Sequence, residues 1–349
     1  MTRRIARLRN ILRRKGMDAI ILSHPANVSY LTGFPTQDSS LFINEKNSIL
    51  ITDFRYSSEY RNLLKNSETK ILEINKPLIQ TIRDLNKKLR IKNLAFEEEH
   101  ISFSYYQKLK SVSAKKLIPV RKIVEDMRII KDSQELKLIK KSTSITLETL
   151  KYVGKILRPG MKEIELAAEI ERYIRLKGTT GTAFEIIVAS GPHSSFPHAK
   201  KTQRIIAQNE PVLIDLGVDC EGYKSDLTRV FFLGKMDTLF RKIYGIVQAA
   251  QKKAISVIRP GIPINKIDKE AREFIAKKGF AKYFKHSLGH GIGLEIHELP
   301  RIYQKNKDIL KQGMVFTVEP GIYLPDKFGV RVEDMICVTH NGAEVLSDS

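Results

Sequence analysis

The sequence contains no tryptophan, only two cysteines and no long apolar run. Cys220 and Cys337 are too few for a disulfide framework and belong to no CxxC motif, so each is expected to be a small buried residue. No apolar stretch approaches the roughly 20 residues that a membrane-spanning helix needs. The basic N-terminus, MTRRIARLRNILRRKG, has apolar residues at helical spacing and is followed by no signal-like apolar core. A cytoplasmic protein is therefore expected.

Acidic residues are also scarce, with 39 Asp+Glu against 60 Lys+Arg and a formal net charge of +21. A charge of this size attracts nucleic acids or anionic membranes without sequence specificity. The basic residues are spread along the whole chain, however, with no basic tail and no RNA- or DNA-binding signature. A lysine-rich solvated surface explains them more simply. We therefore expect neither a specific nucleic acid nor a membrane as a partner.

The 349 residues, of which 42% are hydrophobic, are enough for two globular domains. Helical and strand-like segments alternate to about residue 124, which indicates an α/β layer domain. The predicted helices are 4–16, 80–89 and 102–109, and the predicted strands are 18–23, 47–53, 93–96 and 117–120. A strongly charged helix begins near Ser133, and long helices replace the short elements from there. We therefore predict an N-terminal domain of residues 1–127 and a C-terminal domain of residues 128–349.

The C-terminal half contains a weak internal repeat. LRPGM at 157–161 and IRPGI at 258–262 each place a Pro-Gly turn before a helix, and these helices end at Gly178 and Gly279. Helix–Pro-Gly–helix arrangements also arise by chance. If the duplication is real, the halves pack around a pseudo-twofold axis, and a site between them draws its ligands from both.

Acidic residues of this half lie where carboxylates are least expected. In PVLIDLGVDCEGYKSDLTRVFFL, Asp215 lies inside an apolar strand, and Asp226 opens a second strand after a turn at Gly222. The pattern predicts a β-hairpin with one carboxylate on each arm. A buried carboxylate is unfavourable unless it is paired or bound to a metal. Alternatively, one Asp caps a turn and the other pairs with Arg229, which would account for Asp226 better than for Asp215.

The C-terminal part adds three histidines and two further carboxylates. HSLGHGIGLEIHELP contains His286, His290 and His297 around a glycine-rich turn. Glu319 follows an apolar strand and precedes a Pro-Gly turn, and Glu333 is predicted to lie within a strand. Four carboxylates and one histidine on apolar strands are the mostly hard donor set that a pair of divalent metal ions requires.

The strings around these residues resemble the pita-bread metallopeptidases, a family that includes prolidase, aminopeptidase P and methionine aminopeptidase. They are VASGPHSSFPHA, DLGVDCEGYKSDLTR, GHGIGLEIHE, FTVEPGIY and VRVED. NVSYLTGF at 27–34 and ITDFRY at 51–56 resemble the creatinase-like domain of prolidases and aminopeptidases P. The resemblance covers essentially the whole chain. It implies an α/β N-terminal creatinase-like domain plus an α+β pita-bread C-terminal catalytic domain with pseudo-twofold symmetry.

The resemblance also implies a metal centre and its chemistry. The ligands would be Asp215, Asp226, His290, Glu319 and Glu333. They would hold two divalent ions, Mn²⁺ or Co²⁺, with Zn²⁺ and Fe²⁺ as alternatives. Asp226 and Glu333 would bridge the ions, and a hydroxide between the ions would attack the peptide. Glu319 would also carry the proton to the leaving nitrogen.

Other residues match the family in supporting positions. His198 and His297 would line the substrate cleft and stabilise the developing oxyanion, and together with Glu319 they form the expected catalytic set. Arg331 and Arg301 are expected to bind a substrate carboxylate or to support the ligands. Thr228 is expected to orient a metal-binding carboxylate. His193 and His286 lack such a match and are expected behind the ligands.

The implied function is hydrolysis of the Xaa-Pro bond in short proline-containing peptides, by an Xaa-Pro dipeptidase (prolidase). An Xaa-Pro aminopeptidase that acts on longer peptides is the alternative. A non-catalytic binding protein on the same fold is disfavoured because all five ligands are present. A homodimer is also expected, in which the N-terminal domains border the cleft. Tyr30, Leu31 and Phe34 would contribute to that border or would instead pack the core of their own domain.

Overall fold

The computed structural model describes residues 2–112 and 116–348. The chain divides into two compact units, Met1–Met127 and Arg128–Ser349. Among the described helices, none combines the length and the apolar character needed to cross a membrane.

The N-terminal unit is built on one mixed sheet. Its strands are β1 (Ala19–Leu22), β2 (Ser40–Asn44), β3 (Ser48–Thr52), β4 (Thr69–Glu73), β5 (Asn93–Glu97) and β6 (Lys116–Val120). Their order in the sheet is β4-β3-β2-β1-β5-β6. β2 is antiparallel to β1 and β3, and the other neighbouring pairs are parallel. The central strands are buried along their whole length, as expected for apolar runs such as AIIL.

Helices connect these strands. They are α1 (Thr2–Arg14), α2 (Pro25–Thr32), α3 (Phe54–Leu63), α4 (Leu78–Lys88) and α5 (Phe103–Val112), with α6 (Glu125–Arg128) at the boundary between the units. The sequence patterns did not predict β2, β4, α2, α3 or α6. Pro25 begins α2, and Gly33, with φ of 84°, ends it. Tyr30 and Leu31 are buried, and the Tyr30 hydroxyl donates to the Met127 carbonyl, so these residues pack within their own unit.

The C-terminal unit combines long helices with short antiparallel strands. Its helices are α7 (Ser133–Ile156), α8 (Glu163–Leu176), α9 (Thr238–Ser256) and α10 (Asn265–Lys277). Its strands are β7 (Gly181–Thr182), β8 (Ile187–Ser190), β9 (Glu210–Leu216), β10 (Val218–Cys220), β11 (Tyr223–Lys224), β12 (Leu227–Leu233), β13 (Gly289–Gly291), β14 (Glu298–Ile302), β15 (Val315–Val318), β16 (Gly321–Leu324), β17 (Phe328–Arg331), β18 (Asp334–Val338) and β19 (Ala343–Val345). The side chain of Asp132 caps α7 by accepting hydrogen bonds from the backbone of Gln134 and Glu135.

The internal repeat is present in the structure. Gly160 and Gly261 have φ of 92° and 89°, a conformation that favours glycine. Their N–H groups donate to the carbonyls of Ile206 and Leu310 at 2.9 and 3.0 Å. In each half a helix follows, and then three antiparallel strands with the second in the middle: β8, β9 and β12 in one half, β13, β15 and β18 in the other. Separate apolar clusters form around α7 and α8 and around α9 and α10.

This repeat places the four carboxylates in equivalent positions. Asp215 is the penultimate residue of β9, and Glu319 directly follows β15, so each lies at the end of a middle strand. Asp226 directly precedes β12, and Glu333 directly precedes β18. The prediction that Glu333 lies within a strand is therefore wrong: it lies in the link between β17 and β18, where the chain moves from one sheet to another.

Candidate metal centre

Asp215 is held by a buried arginine. Its Oδ2 accepts a hydrogen bond from Nη2 of Arg331 at 2.7 Å, and both residues are almost fully buried. Its Oδ1 is buried as well, and it has no hydrogen-bond partner among the described residues. A buried acceptor without a donor destabilises a fold by about 1–3 kcal/mol, and by more when it is charged. A cation beside Oδ1 would satisfy this oxygen.

Thr228 joins Arg331 to a second carboxylate. Its hydroxyl donates to Oε2 of Glu333 at 2.7 Å and accepts from Nε of Arg331 at 2.9 Å. Thr228 pairs with Asp215 in the β9–β12 register, so the hairpin itself brings these groups together. The position agrees with the expectation that Thr228 orients a ligand carboxylate.

His290 turns one ring nitrogen towards the carboxylates. Its Nδ1 lies 3.2 Å from its neighbour's carbonyl, that of Gly291. Its Nε2 lies 3.5 Å from Oδ2 of Asp226 and 3.4 Å from Oε1 of Glu319. Two ligands that each lie about 2.0–2.2 Å from one metal ion are separated by about 3–3.5 Å in tetrahedral geometry. Donor atoms of Asp226, His290 and Glu333 all lie within 4.8 Å of one another.

The raised pKa values of these carboxylates also indicate an excess of negative charge in the cluster. Burial, together with the Glu333 carboxylate, raises the pKa of Asp226 well above its ordinary value. Burial and the Glu319 carboxylate do the same for Glu333, and burial raises the pKa of Glu319 to about 8 despite Arg331. One arginine does not offset the buried carboxylates of Asp215, Asp226 and Glu333 and the half-buried one of Glu319, so the donor set fits divalent cations.

The imidazole of His290 is suited to the same role. Burial and the neighbouring His297 lower the pKa of His290 to about 4. The ring is therefore neutral near pH 7, and the neutral form is the one that binds a metal. Its contact with the Gly291 carbonyl favours a proton on Nδ1, which leaves the lone pair on Nε2.

The two histidines predicted to line the cleft are exposed. The ring of His297 lies edge-on to that of His290, with centroids 4.2 Å apart. Burial lowers the pKa of His297, and the charge of His198 lowers it further. Arg301 faces His290 across the β13–β14 register, but its side chain is exposed and lies over the ring of Tyr303. The structure thus places His297 beside the ligands and Arg301 at the surface.

The structure also gives the partners of Arg229, His193 and His286. Arg229 does not pair with Asp226; its Nη2 donates to Asp334 at 2.6 Å, so the alternative account of Asp226 is wrong. His193 lies apart from the carboxylate cluster, with its Nδ1 2.9 Å from Oε2 of the buried Glu163. His286 lies behind the ligands, with its Nε2 3.2 Å from the hydroxyl of Tyr323.

The sequence analysis missed two residues that support the site. The Tyr323 hydroxyl accepts from Nη1 of Arg331 at 2.7 Å. Nε2 of Gln251, on α9, donates to the carbonyls of Val318 and Val332, both at 3.1 Å. Those carbonyls directly precede Glu319 and Glu333. Tyr323 lies in the EPGIYL string and could have been noticed there, whereas nothing local distinguishes Gln251 within its amphipathic helix.

Comparison with known proteins agrees with this architecture. Residues 137–340 match metallopeptidase family M24, and residues 4–130 match the creatinase/prolidase N-terminal domain. The chain is 34% identical to an Xaa-Pro dipeptidase of Pyrococcus horikoshii over 99% of its own length and 97% of that protein. It superposes on an Xaa-Pro dipeptidase from Bacillus anthracis with a TM-score of 0.96, at 35% identity, covering 100% and 98% of the two chains. An X-Pro aminopeptidase from Thermotoga maritima gives 0.90, at 35% identity and 96% coverage of both.

The fold and the buried donor set thus define a metal-dependent peptidase. The chain belongs to metallopeptidase family M24, in the prolidase subgroup that joins the pita-bread catalytic domain to a creatinase/prolidase N-terminal domain. The predicted fold class and enzyme class are confirmed.

Proposed function

We propose that this protein hydrolyses the peptide bond before proline, and that Xaa-Pro dipeptides are its preferred substrates. The observation that carries the proposal is the grouping of Asp226, His290 and Glu333, with Glu319 3.4 Å from Nε2 of His290. Nearby, an oxygen of Asp215 has no donor among the described residues. The relatives named as Xaa-Pro dipeptidases support the choice of substrate.

We further propose that the cluster holds two divalent ions, Mn²⁺ or Co²⁺. Asp226 and Glu333, which directly precede β12 and β18, would be shared between the two ions, as the resemblance to the family implies. Asp215 would complete the ligands of one ion, and His290 with Glu319 those of the other. When bound, the ions would lower the pKa of a water molecule and polarise the scissile carbonyl.

The side chains around the ions have separate roles in the reaction. Glu319 takes the proton from the attacking water and delivers it to the proline nitrogen. His297, beside His290, and His198 stabilise the negative charge on the carbonyl oxygen. Arg331 is buried and fully engaged with Asp215, Thr228 and Tyr323, so it positions ligands, whereas the exposed Arg301 is free to approach a substrate carboxylate.

An Xaa-Pro aminopeptidase acting on longer peptides is the second candidate, and the similarity to the Thermotoga maritima X-Pro aminopeptidase favours it. Steady-state kinetics on matched Xaa-Pro and Xaa-Pro-Yaa-Zaa peptides distinguish the two. A dipeptidase has the higher kcat/KM for the dipeptide, whereas a preference for the tetrapeptide would contradict our proposal. Full activity after complete removal of metal would contradict the mechanism. The homodimer and the cytoplasmic location remain predictions.

A further inference from the structure

The N-terminal unit contains only two histidines, His24 and His100. The structure stacks their rings, with centroids 3.7 Å apart and planes inclined by 22°. They come from distant parts of the sequence, so the fold rather than local sequence pairs them.

The sheet explains how they meet. His24 follows β1 and precedes α2, and His100 follows β5. β1 and β5 are parallel neighbours, with Ile21 opposite Phe96, so the segments after both strands emerge at the same edge. The carboxyl edge of such strands is a common place for ligand binding in α/β sheets.

A carboxylate completes the cluster. Oε1 of Glu125, at the start of α6, lies 2.9 Å from Nε2 of His100. One donor atom from each of His24, His100 and Glu125 lies within 4.8 Å of the other two. The side chains of His100 and Glu125 are 25% and 18% exposed, so the group is reachable from solvent and has room to adjust.

Buried residues hold the cluster in place. Asn27 is fully buried, and its Nδ2 donates to both Glu125 and Glu97 at 2.7 Å. Oε2 of Glu97 accepts from the backbone N–H groups of Ser23 and His24 at 2.7 and 2.9 Å. One buried Asn–Glu pair therefore fixes both the backbone of His24 and the carboxylate of Glu125, as residues behind metal ligands do.

The local charge also differs from that of the rest of the chain. The small cavity beside the cluster is lined by the carboxylates of Glu97, Glu99 and Glu125 and by one ammonium group, that of Lys122. This local acidic excess occurs in a protein of formal net charge +21. Such surroundings favour a bound cation.

We propose that His24, His100 and Glu125 bind a divalent transition-metal ion of the Zn²⁺ class, separate from the carboxylate-rich centre of the C-terminal unit. Two imidazoles and one carboxylate suit Zn²⁺, Ni²⁺ or Cu²⁺ better than Mg²⁺ or Ca²⁺. Modest rotation of the partly exposed side chains brings donor atoms from at most 4.8 Å to the separation of about 3.3 Å that a tetrahedral ion needs. The ion would fasten α2 and α6 to the edge formed by β1 and β5.

The number of imidazoles on one ion distinguishes the two centres. The proposed ligand set of the C-terminal centre contains one imidazole, that of His290, whereas the proposed site contains two. Metal-free full-length protein loaded with Cu²⁺ can be analysed by pulsed electron paramagnetic resonance, which counts imidazoles bound to each ion. We expect a population of ions with two imidazoles in the unsubstituted protein. It should be absent from His100→Gln and unchanged in His340→Gln, which alters an exposed histidine outside both clusters. Only single-imidazole ions in the unsubstituted protein would overturn the proposal.

Zinc stoichiometry is an independent measurement. After equilibration with Zn²⁺ and gel filtration, the double variant His24→Asn/His100→Gln should retain one ion fewer per chain than the unsubstituted protein and the His340→Gln control. Its Mn²⁺-supported Xaa-Pro hydrolysis should be unchanged. Glu125→Gln keeps the shape of the side chain and the hydrogen bond from Asn27, so it is the variant to measure if the double variant fails to fold. It too should bind less Zn²⁺ at this site. Equal zinc content in folded variants and control would refute the site.

Discussion

Arg331 donates to Asp215 through Nη2 at 2.7 Å, while the other oxygen of Asp215 has no donor among the residues that the structure describes. The same guanidinium also donates to Thr228 and Tyr323. One buried cation therefore orients two of the proposed ligand carboxylates, Asp215 directly and Glu333 through Thr228, without neutralising the cluster. The negative charge that Arg331 does not neutralise has to be balanced by bound cations.

The first prediction concerns this guanidinium. Lysine at position 331 could not bond to Asp215, Thr228 and Tyr323 at once, because its ammonium lacks the planar set of donors. Arg331→Lys should weaken metal binding by about 10–100-fold and lower kcat/KM, as measured by calorimetry and peptide hydrolysis. Arg301→Lys is the control, since that side chain is exposed and should leave metal affinity unchanged. Unaltered metal affinity in Arg331→Lys would show that the arginine does not position the ligands.

The second prediction concerns the carboxylates that directly precede β12 and β18. Asp226→Asn and Glu333→Gln each remove a ligand that is proposed to be shared by both ions, so metal binding and activity should be lost together. Metal content and hydrolysis are measured on the same preparations. Glu221→Gln, a change at an exposed carboxylate paired with Lys141, should affect neither. A variant that loses activity with its full metal content would argue against shared ligation.

The third prediction separates catalysis from metal binding. His198→Ala and His297→Ala should retain the metal ions but lower kcat by about 10²–10³, the range for losing one oxyanion donor. The exposed His340 provides a matched His→Ala control. Wild-type turnover in either variant would remove that histidine from the catalytic set.

The fourth prediction concerns pH and metal-free protein. The folded pKa of Glu319 is about 8, raised from an ordinary 4.5. Between these values the unfolded chain has released a proton that the folded chain retains, so the free energy of unfolding falls as pH rises. Asp226 and Glu333 act in the same direction. Metal-free protein should therefore melt at lower temperature at pH 8 than at pH 7, because the opposite effect of His290, whose pKa is lowered to about 4, is confined to lower pH.

Saturating Mn²⁺ should reverse this trend, because the ion binds the deprotonated carboxylates and only in the folded state. Glu319→Gln should melt with a shallower pH dependence than the unsubstituted protein when both are metal-free. Metal-free protein whose melting temperature rises from pH 7 to pH 8 would contradict the assigned burial of these carboxylates.

Much of the candidate site could be predicted from the sequence because the site residues lie within short recognisable motifs, and several of them lie in or beside apolar strands. Asp215 is a carboxylate within the otherwise apolar string VLIDLGV, which is unusual for a strand. The structure places it against Arg331, whose guanidinium also donates to Thr228 beside Glu333. The alternation of helices and strands likewise predicted the α/β unit. The strand prediction for Glu333 was wrong because β17 pairs with β16 and β18 pairs with β15, and Glu333 lies between these two pairings. The local composition does not show where one pairing stops and the other starts.

Other features depend on contacts that no local pattern reveals. The segment PANVSYLT is rich in residues that do not favour helices, yet it forms α2 because Pro25 starts it and its apolar residues are buried. Gln251 resembles any polar residue of an amphipathic helix until the strands it bridges are known. The stacking of His24 on His100 likewise depends on the order of strands in the sheet.

The repeated Pro-Gly turns and the three equivalent antiparallel strands of each half have a consequence for how such a centre can arise. Each half supplies one carboxylate at the end of its middle strand and one before its third strand. A single half would hold two of the four, so it could assemble the cluster only by pairing with a second copy of itself. When both halves belong to one polypeptide, their association is intramolecular. Formation of the centre then does not depend on protein concentration. A single polypeptide also allows the halves to differ, and His290 lies in only one of them, on β13.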